Sequence, residues 1–297
     1  MQRLSLVCAM NKSQALHSTN SPPPESFMLE LHTHTTYSDG SLSPTELVEA
    51  AIAAGVTALA ITDHDTLGGW TEAIAAAGDR LEIVPGIELS TLHNDRSLHL
   101  LGFWPDREVL EPLLQEQQAG RWRRAEAIAT KLAELGAPIV LPELQEGQMP
   151  GRPHFAQALL DAGHVQSWDE AFRRFLGEQA PAYVPYEKLD VIEGIRWLRD
   201  AGAVVVWAHP FLWRGGRVEE ALPLLVEAGL QGLEVIHPGH SPSDRRQLEE
   251  WCERYDLLPS GGSDYHGPGN GGGRHAEALN KQAVPTGWLE PLRNAAD

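Results

Sequence analysis

Thiols are scarce in this sequence: two cysteines, Cys8 and Cys252, in 297 residues. That pair can build neither a disulfide framework nor a cysteine zinc site. Positive charge is also in short supply. Lys and Arg number 23 against 41 Asp and Glu, a formal net charge of −18. So acidic a chain lacks the basic surface that neutralises duplex phosphates, so no duplex DNA partner is expected. A phosphorylated ligand can still be drawn by charge concentrated locally, for example on bound metal ions. No apolar run reaches the ~18 residues that a membrane-spanning helix needs, and no membrane partner is expected. The short apolar stretch around Ser5 is broken by Asn11 and Lys12, too soon for the core of a secretion signal. Residues 1–26 read as a disordered leader closed by the extended spacer Ser21-Pro22-Pro23-Pro24. The expected compartment is the cytoplasm.

What the chain does have is histidine, thirteen in all, set in a regular alternation of short β-rich runs and helical patterns. Strands are expected at Phe27 to Leu31, Val56 to Ile61, Leu81 to Leu89 and Ser97 to Trp104. Three more are expected at Ala203 to Ala208, Gln231 to Ile236 and Leu257 to Ser260. Between them the 3.6-residue period marks helices at Pro44 to Ala54, Trp70 to Ala77, Val191 to Ala201, Val218 to Ala228 and Pro242 to Tyr255. Ser43 is the expected N-cap of the first, with Pro44 in its first turn and Gly55 at its end. Such alternation argues for an α/β fold with a mainly parallel sheet, whose seven strands could close into a barrel. Asp106 to Tyr186 breaks the rhythm with helical patterns alone. It reads as a helical insertion (106–186) in a barrel domain made of 27–105 and 187–297. The glycine-rich stretch Gly267 to Gly273 is expected to be a loop near the last strand.

Metal-binding residue types recur where those strands stop. His32 and His34 end the first, with Asp39 in the following turn. His64 ends the second and Glu88 the third; His99 lies within the fourth. His209 ends the fifth, His237 the sixth, and Asp264 and His266 follow the seventh. In a parallel α/β fold the carboxyl ends of the strands face one side, where active sites are built. Imidazole and carboxylate without thiolate suit Mn²⁺, Fe²⁺ or Zn²⁺. His17, His93 and His164 have no such pattern and read as ordinary residues.

Four segments in order carry a resemblance: His32-Thr-His34-Thr-Thr-Tyr-Ser38-Asp39-Gly40, Thr62-Asp63-His64-Asp65, His209-Pro210 and Asp264-Tyr265-His266. They resemble the four motifs of the PHP (polymerase and histidinol phosphatase) superfamily. Gly86-Ile87-Glu88, Leu98-His99-Leu100-Leu101-Gly102, Arg152-Pro153-His154-Phe155-Ala156, Pro181-Ala182-Tyr183-Val184 and His240-Ser241 resemble more closely the nucleoside 3′,5′-bisphosphate phosphatases, also described as 5′-3′ exoribonucleases. The resemblance implies a distorted seven-stranded (β/α) barrel with a helical insertion and two to three divalent ions, manganese above all. It implies one ion held by His32, His34, Glu88 and Asp264, and a second by Asp39, His64 and His266. Glu88 would bridge to a third, completed by His99 and His209. A hydroxide activated by the ions would then attack a phosphate ester. The implied substrate is a small phosphorylated nucleotide, such as adenosine 3′,5′-bisphosphate, or the 5′ end of a short RNA. A histidinol-phosphate phosphatase or a non-catalytic PHP module fits the residues less well.

Substrate contacts are expected elsewhere. Gly151-Arg152-Pro153 reads as a helix start, which places Arg152 beside free N–H groups and the positive end of a helix dipole. His154 and His240 are further candidates, and His237 reads as a residue behind the ligands. Arg121, Arg123 and Arg124 around Trp122 read as a solvated helix start, with a nucleotide clamp as the other reading. Ser38 reads as a turn residue bonding backbone, with contact to a phosphate as the other reading.

Overall fold

The computed structural model describes residues 27–141, 151–177, 179–185, 189–268 and 279–296. The expected leader and the glycine-rich run from 269 onward lie outside them. In chain order the elements are β1 (Phe27–Glu30), α1 (Pro44–Ala53), β2 (Ala58–Ile61), α2 (Trp70–Ala77), β3 (Glu82–His93) and β4 (Arg96–Phe103). The helices α3 (Arg107–Glu134), α4 (Arg152–Asp161), α5 (Trp168–Ala171) and α6 (Val191–Asp200) follow, then β5 (Val204–Trp207), α7 (Val218–Ala228), β6 (Gly232–Ile236) and α8 (Pro242–Tyr255). The chain ends with β7 (Leu258–Gly261), β8 (Val284–Pro285) and α9 (Leu289–Arg293). Among the described residues no helix is long and apolar enough to cross a membrane.

The strands form one sheet in the order β7-β6-β5-β4-β3-β2-β1-β8. β1, β2 and β3 run parallel, as do β5, β6 and β7. β4 is antiparallel to both of its neighbours. The sheet is thus mainly parallel, as expected, with β4 the reversed strand between its two parallel runs. The third strand runs on to His93 and turns back through Asn94 and Asp95, both at positive φ. Two such residues in succession suit a tight hairpin, and Asn and Asp are the side chains that tolerate it best. The sheet curls until its two ends meet beyond β1 and β7. There Leu31 N–H donates to Gly261 O at 3.2 Å and His34 N–H to Tyr265 O at 2.9 Å. Gly262 permits this approach, since a Cβ at that position would sit 2.5 Å from the His32 nitrogen. The eighth strand, too short to show a pattern in sequence, pairs antiparallel with β1 on its other side.

Alternation along the strands sorts side chains onto two buried faces. Leu59, Ile61, Ile87, Leu89, Val205 and Trp207 pack with Leu47 of α1, Leu198 of α6, Leu222 of α7 and Leu248 of α8. Ala58, Ala60, Val84, Leu101, Phe103, Val204 and Val206 pack on one another and on Leu289 and Leu292 of α9. The second face continues by parity from Ala60 to His64, from Val84 to Glu88 and from Phe103 back to His99. One strand face is thus apolar below and metal-binding above.

Ser43 caps α1 as expected. Its side chain accepts from Glu46 N–H, while the Glu46 carboxylate accepts from Ser43 N–H. In the stretch expected to be helical, α3 is a 28-residue helix that joins two cores. Leu110 and Leu114 belong to the barrel's core. Ala125, Ile128 and Leu132 form a separate cluster with Phe155 and Leu159 of α4 and with Phe175 and Leu176.

Candidate metal centre

The strand ends converge on Glu88, which is 1% exposed. Its Oε2 lies 3.1 Å from His32 Nε2, 3.1 Å from His34 Nε2 and 3.3 Å from His64 Nδ1. Its Oε1 lies 2.8 Å from His99 Nδ1 and 3.0 Å from His209 Nε2. Asp264 Oδ1 stands 3.4 Å from His32 Nε2 and 3.1 Å from His34 Nε2. Asp39 Oδ1 stands 3.2 Å from His266 Nε2. All nine residues expected as ligands therefore meet in one place.

Among the described residues, three groups have ligand atoms within 4.8 Å of one another: His32, His34, Glu88 and Asp264; His34, Asp39, His64 and His266; and His64, Glu88 and His99. The first is the set implied by the resemblance, the second adds His34, and the third holds His64 where His209 was implied; His34, His64 and Glu88 are each shared between two groups. His209 joins the third through its contact with Glu88. Whether this donor set suits cations can be judged from its buried nitrogens. His32 Nε2, His34 Nε2 and His64 Nδ1 are buried without a hydrogen-bond partner. A carboxylate surrounded by unpartnered imidazole nitrogens is a donor set for divalent ions.

The electrostatics carry the same imprint. Burial opposes a charged His34, but Asp264 and Glu88 outweigh it and raise its pKa to about 10. His32 is raised in the same way: Glu234, Glu88 and Asp264 prevail over burial. Burial lowers His64 to about 4. Glu88 itself is held well below the ordinary carboxylate range, its burial overcome by the surrounding imidazoles.

Backbone and neighbouring side chains hold the cluster in place. The Asp63 carboxylate accepts from Thr35 N–H at 2.7 Å, from Thr35 Oγ1 at 2.7 Å and from Ser38 Oγ at 2.6 Å. Ser38 thus bonds a carboxylate, not the backbone expected for a turn residue. His266 Nδ1 bonds Asp264 O at 2.8 Å, which leaves Nε2 for Asp39. Asp65, His209 and Asp264 adopt positive φ of 54°, 35° and 53°, a conformation that a non-glycine residue keeps only where its surroundings impose it. Because β4 runs against its neighbours, His99 reaches the cluster from the first half of its strand, opposite Ser90. His237 stands behind, with Nε2 3.4 Å from Asp264 Oδ2.

The cluster opens into a cavity of about 340 Å³, lined by Asp39, His64, Glu88, His99, His209, Asp264 and His266 together with the apolar side chains Leu98, Trp207, Leu212 and Trp213. The three residues expected to touch substrate lie elsewhere. Arg152 opens α4, its guanidinium 5.9 Å from the Phe172 ring centroid. His154 caps the same helix, its Nδ1 accepting from Gly151 N–H at 3.0 Å. His240 is 4% exposed beside His237 and bonds Val235 O through Nδ1 at 3.0 Å. Burial lowers its pKa to about 4.

The arginine cluster is not a helix start: it sits in the middle of α3. Arg121 pairs with the buried Asp65 beside His64, and Arg124 Nε donates to Val184 O at 2.9 Å, so the expected solvated face holds for Arg123 alone. Two carboxylates of the site were not found from sequence. Asp63 lies inside a recognised motif, and Glu234 is an acid within the apolar run Leu233 to Ile236. A charge inside a buried strand was the available signal for the latter.

A barrel that gathers six imidazoles and three carboxylates at one end defines a metal-dependent hydrolase. Comparison with known proteins narrows the class. The PHP domain family model matches residues 30–138. The chain is 37% identical over 273 residues to a 5′-3′ exoribonuclease of Haemophilus influenzae, covering 89% of this chain and 93% of that protein. It is 34% identical over 253 residues to a 3′,5′-nucleoside bisphosphate phosphatase of Chromobacterium violaceum, covering 82% and 89%. A crystal structure from Bifidobacterium adolescentis, assigned as a metal-dependent phosphoesterase, matches with a TM-score of 0.71 at 32% identity, covering 93% and 98%. The chain belongs to the PHP family of metal-dependent phosphoesterases.

Proposed function

We propose that this chain removes one phosphate from a nucleoside 3′,5′-bisphosphate, such as adenosine 3′,5′-bisphosphate, and leaves the mononucleotide. The observation that carries the reading is the Glu88 carboxylate with five imidazole nitrogens within 3.3 Å, at the wall of a cavity of about 340 Å³. That volume lies in the range of small-ligand sites. His32, His34, Glu88 and Asp264 hold one divalent ion, and Asp39, His64 and His266 hold a second with His34. Glu88, His99 and His209 contribute to a third. Bound divalent ions supply a nucleophile at neutral pH and neutralise charge on the phosphoryl oxygens. Manganese is the proposed ion, with Fe²⁺ or Zn²⁺ compatible with the same donors.

The chain's own residues do the rest. Asp63 keeps the His34–Asp39 turn in place, and Leu98, Leu212 and Trp213 give the cavity an apolar part of its wall. Arg152, which opens α4 in the helical insertion (106–186) and stands outside the cavity lining, is the proposed source of charge for the phosphate that is not cleaved. The protein acts in the cytoplasm.

Hydrolysis of short 5′-phosphorylated RNA in the 5′-3′ direction is the second reading. The similarity to the Haemophilus influenzae exoribonuclease over 93% of its length favours it. Both readings need the same ions and a terminal phosphate. Turnover with Mn²⁺ present, compared across adenosine 3′,5′-bisphosphate, 5′-AMP, histidinol phosphate and 5′-phosphorylated short RNA, separates them. Fastest turnover of the bisphosphate is expected. Preference for RNA establishes the second reading, and preference for histidinol phosphate overturns both.

A further inference from the structure

β6 carries a wholly buried carboxylate, Glu234, that belongs to none of the three ligand groups. Its Oε1 lies 2.9 Å from His32 Nδ1, and its Oε2 accepts the backbone N–H of His209 at 2.7 Å. The same two histidines turn Nε2 toward Glu88: His32 Nε2 at 3.1 Å from Oε2, and His209 Nε2 at 3.0 Å from Oε1. Two buried carboxylates thus act on one pair of histidines, Glu88 from the side of the cavity and Glu234 from behind.

A neutral imidazole has one N–H and one lone pair. With an ionised carboxylate 2.9 Å from Nδ1, the proton belongs there and the lone pair falls on Nε2. That nitrogen is buried and has no hydrogen-bond partner. A carboxylate behind a metal-binding histidine fixes ring orientation and raises ligand basicity. At His209 the constraint works on the backbone. Its φ of 35° and ψ of 58° are left-handed, although a residue before proline ordinarily stays extended. The bond from Glu234 holds the amide in this conformation, in which the ring reaches Glu88.

We propose that Glu234 is a positioning residue of the metal centre. Its one carboxylate selects the Nδ1–H tautomer of His32 and holds the strained backbone of His209, so that both rings present Nε2 to the positions bridged by Glu88. The inference rests on the metal centre of the proposed function and is independent of which ester is cleaved.

Glu234→Gln tests it, because the amide keeps the shape but has one acceptor oxygen for two donors. Calorimetric titration with Mn²⁺, without substrate, is compared between the wild-type chain and the variant, alongside thermal melts of both chelated proteins. The expected result is a folded variant whose Mn²⁺ affinity is about 10- to 100-fold weaker. Unchanged affinity overturns the positioning role, and so does a lower melting temperature with unchanged affinity, which marks a purely structural staple. A wild-type chain that binds no Mn²⁺ overturns the metal centre itself. If Glu234→Gln does not fold, the histidine ¹⁵N spectrum of the zinc-loaded wild-type chain decides. A proton on His32 Nδ1 supports the proposal, and a proton on Nε2 overturns it.

Discussion

Glu88 shows at the scale of one residue why this cluster is built for cations. A carboxylate offers about four lone-pair positions, yet five imidazole nitrogens lie within 3.3 Å of its two oxygens. Hydrogen bonds alone do not satisfy that arrangement; the proposed shared divalent ions would. Glu88→Ala is therefore expected to remove at least one ion per chain by elemental analysis and to lower turnover by more than about 100-fold, beyond the usual effect of losing an outer partner. His99→Ala, which removes a single partly exposed ring, is expected to lose less of both. Wild-type metal content in Glu88→Ala overturns the bridging role. Glu88 was legible in the sequence because it ends a strand in step with other ligand types. Asp63 and Glu234 were not, because each acts on a neighbour through a bond that no spacing encodes.

At the scale of elements, the buried acid in β1 ties the two ends of the barrel together. Glu30 Oε2 accepts from Ser263 N–H at 2.9 Å and Ser263 Oγ at 2.8 Å, next to Asp264, while Oε1 accepts from Asn280 N–H. Burial dominates these bonds and raises its pKa from 4.5 to about 7. The folded state then holds the proton more tightly than the unfolded chain. Its contribution to stability is fully present below pH 4.5 and is lost as pH rises through about 7, up to about 3 kcal/mol at 1.36 kcal/mol per unit. Glu30→Gln, which mimics the protonated acid, is expected to flatten this part of the stability profile in urea melts of the chelated protein. An unchanged slope between pH 4.5 and 7 contradicts the assignment. Elements with a strong period were legible to the residue: α2, α7 and α8 begin and end where the 3.6-residue pattern does. Strand direction was not. An apolar run such as Leu98 to Phe103 reads the same in either sense, and the hairpin turn at Asn94-Asp95 was the only sign that β4 reverses. α3 was misread for a related reason: its apolar positions serve two separate cores, so no single stripe runs along its length.

For the whole molecule, the metal centre joins segments from one end of the barrel chain to the other, His32 to His266, and its state should govern stability. With chelated protein near neutral pH the cluster compensates itself. His32 and His34 carry protons against Glu88 and Asp264, which predicts that chelation leaves a folded barrel. That compensation has a pH limit. His34 is raised from 6.5 to about 10, so its contribution to the chelated protein is fully present below pH 6.5 and is lost as pH rises through about 10. Glu88 stays ionised throughout, and above neutrality the chelated chain buries carboxylates whose cations are leaving. The loaded protein has no such dependence, because its imidazoles bind as neutral ligands, and fewer protons compete for them as pH rises. An ion present at 100 times its dissociation constant adds about 2.7 kcal/mol, and a chain of this size gains roughly 2–4 °C per kcal/mol. Two ions should therefore raise Tm by about 10–20 °C at pH 7. The gap between Mn²⁺-loaded and chelated protein should widen steadily from pH 7 to pH 9, above the range in which Glu30 titrates. Paired thermal melts across that range measure it. A gap that stays constant would mean the buried histidines hold no protons in the chelated chain, and a gap that narrows would mean the ions bind somewhere other than this cluster.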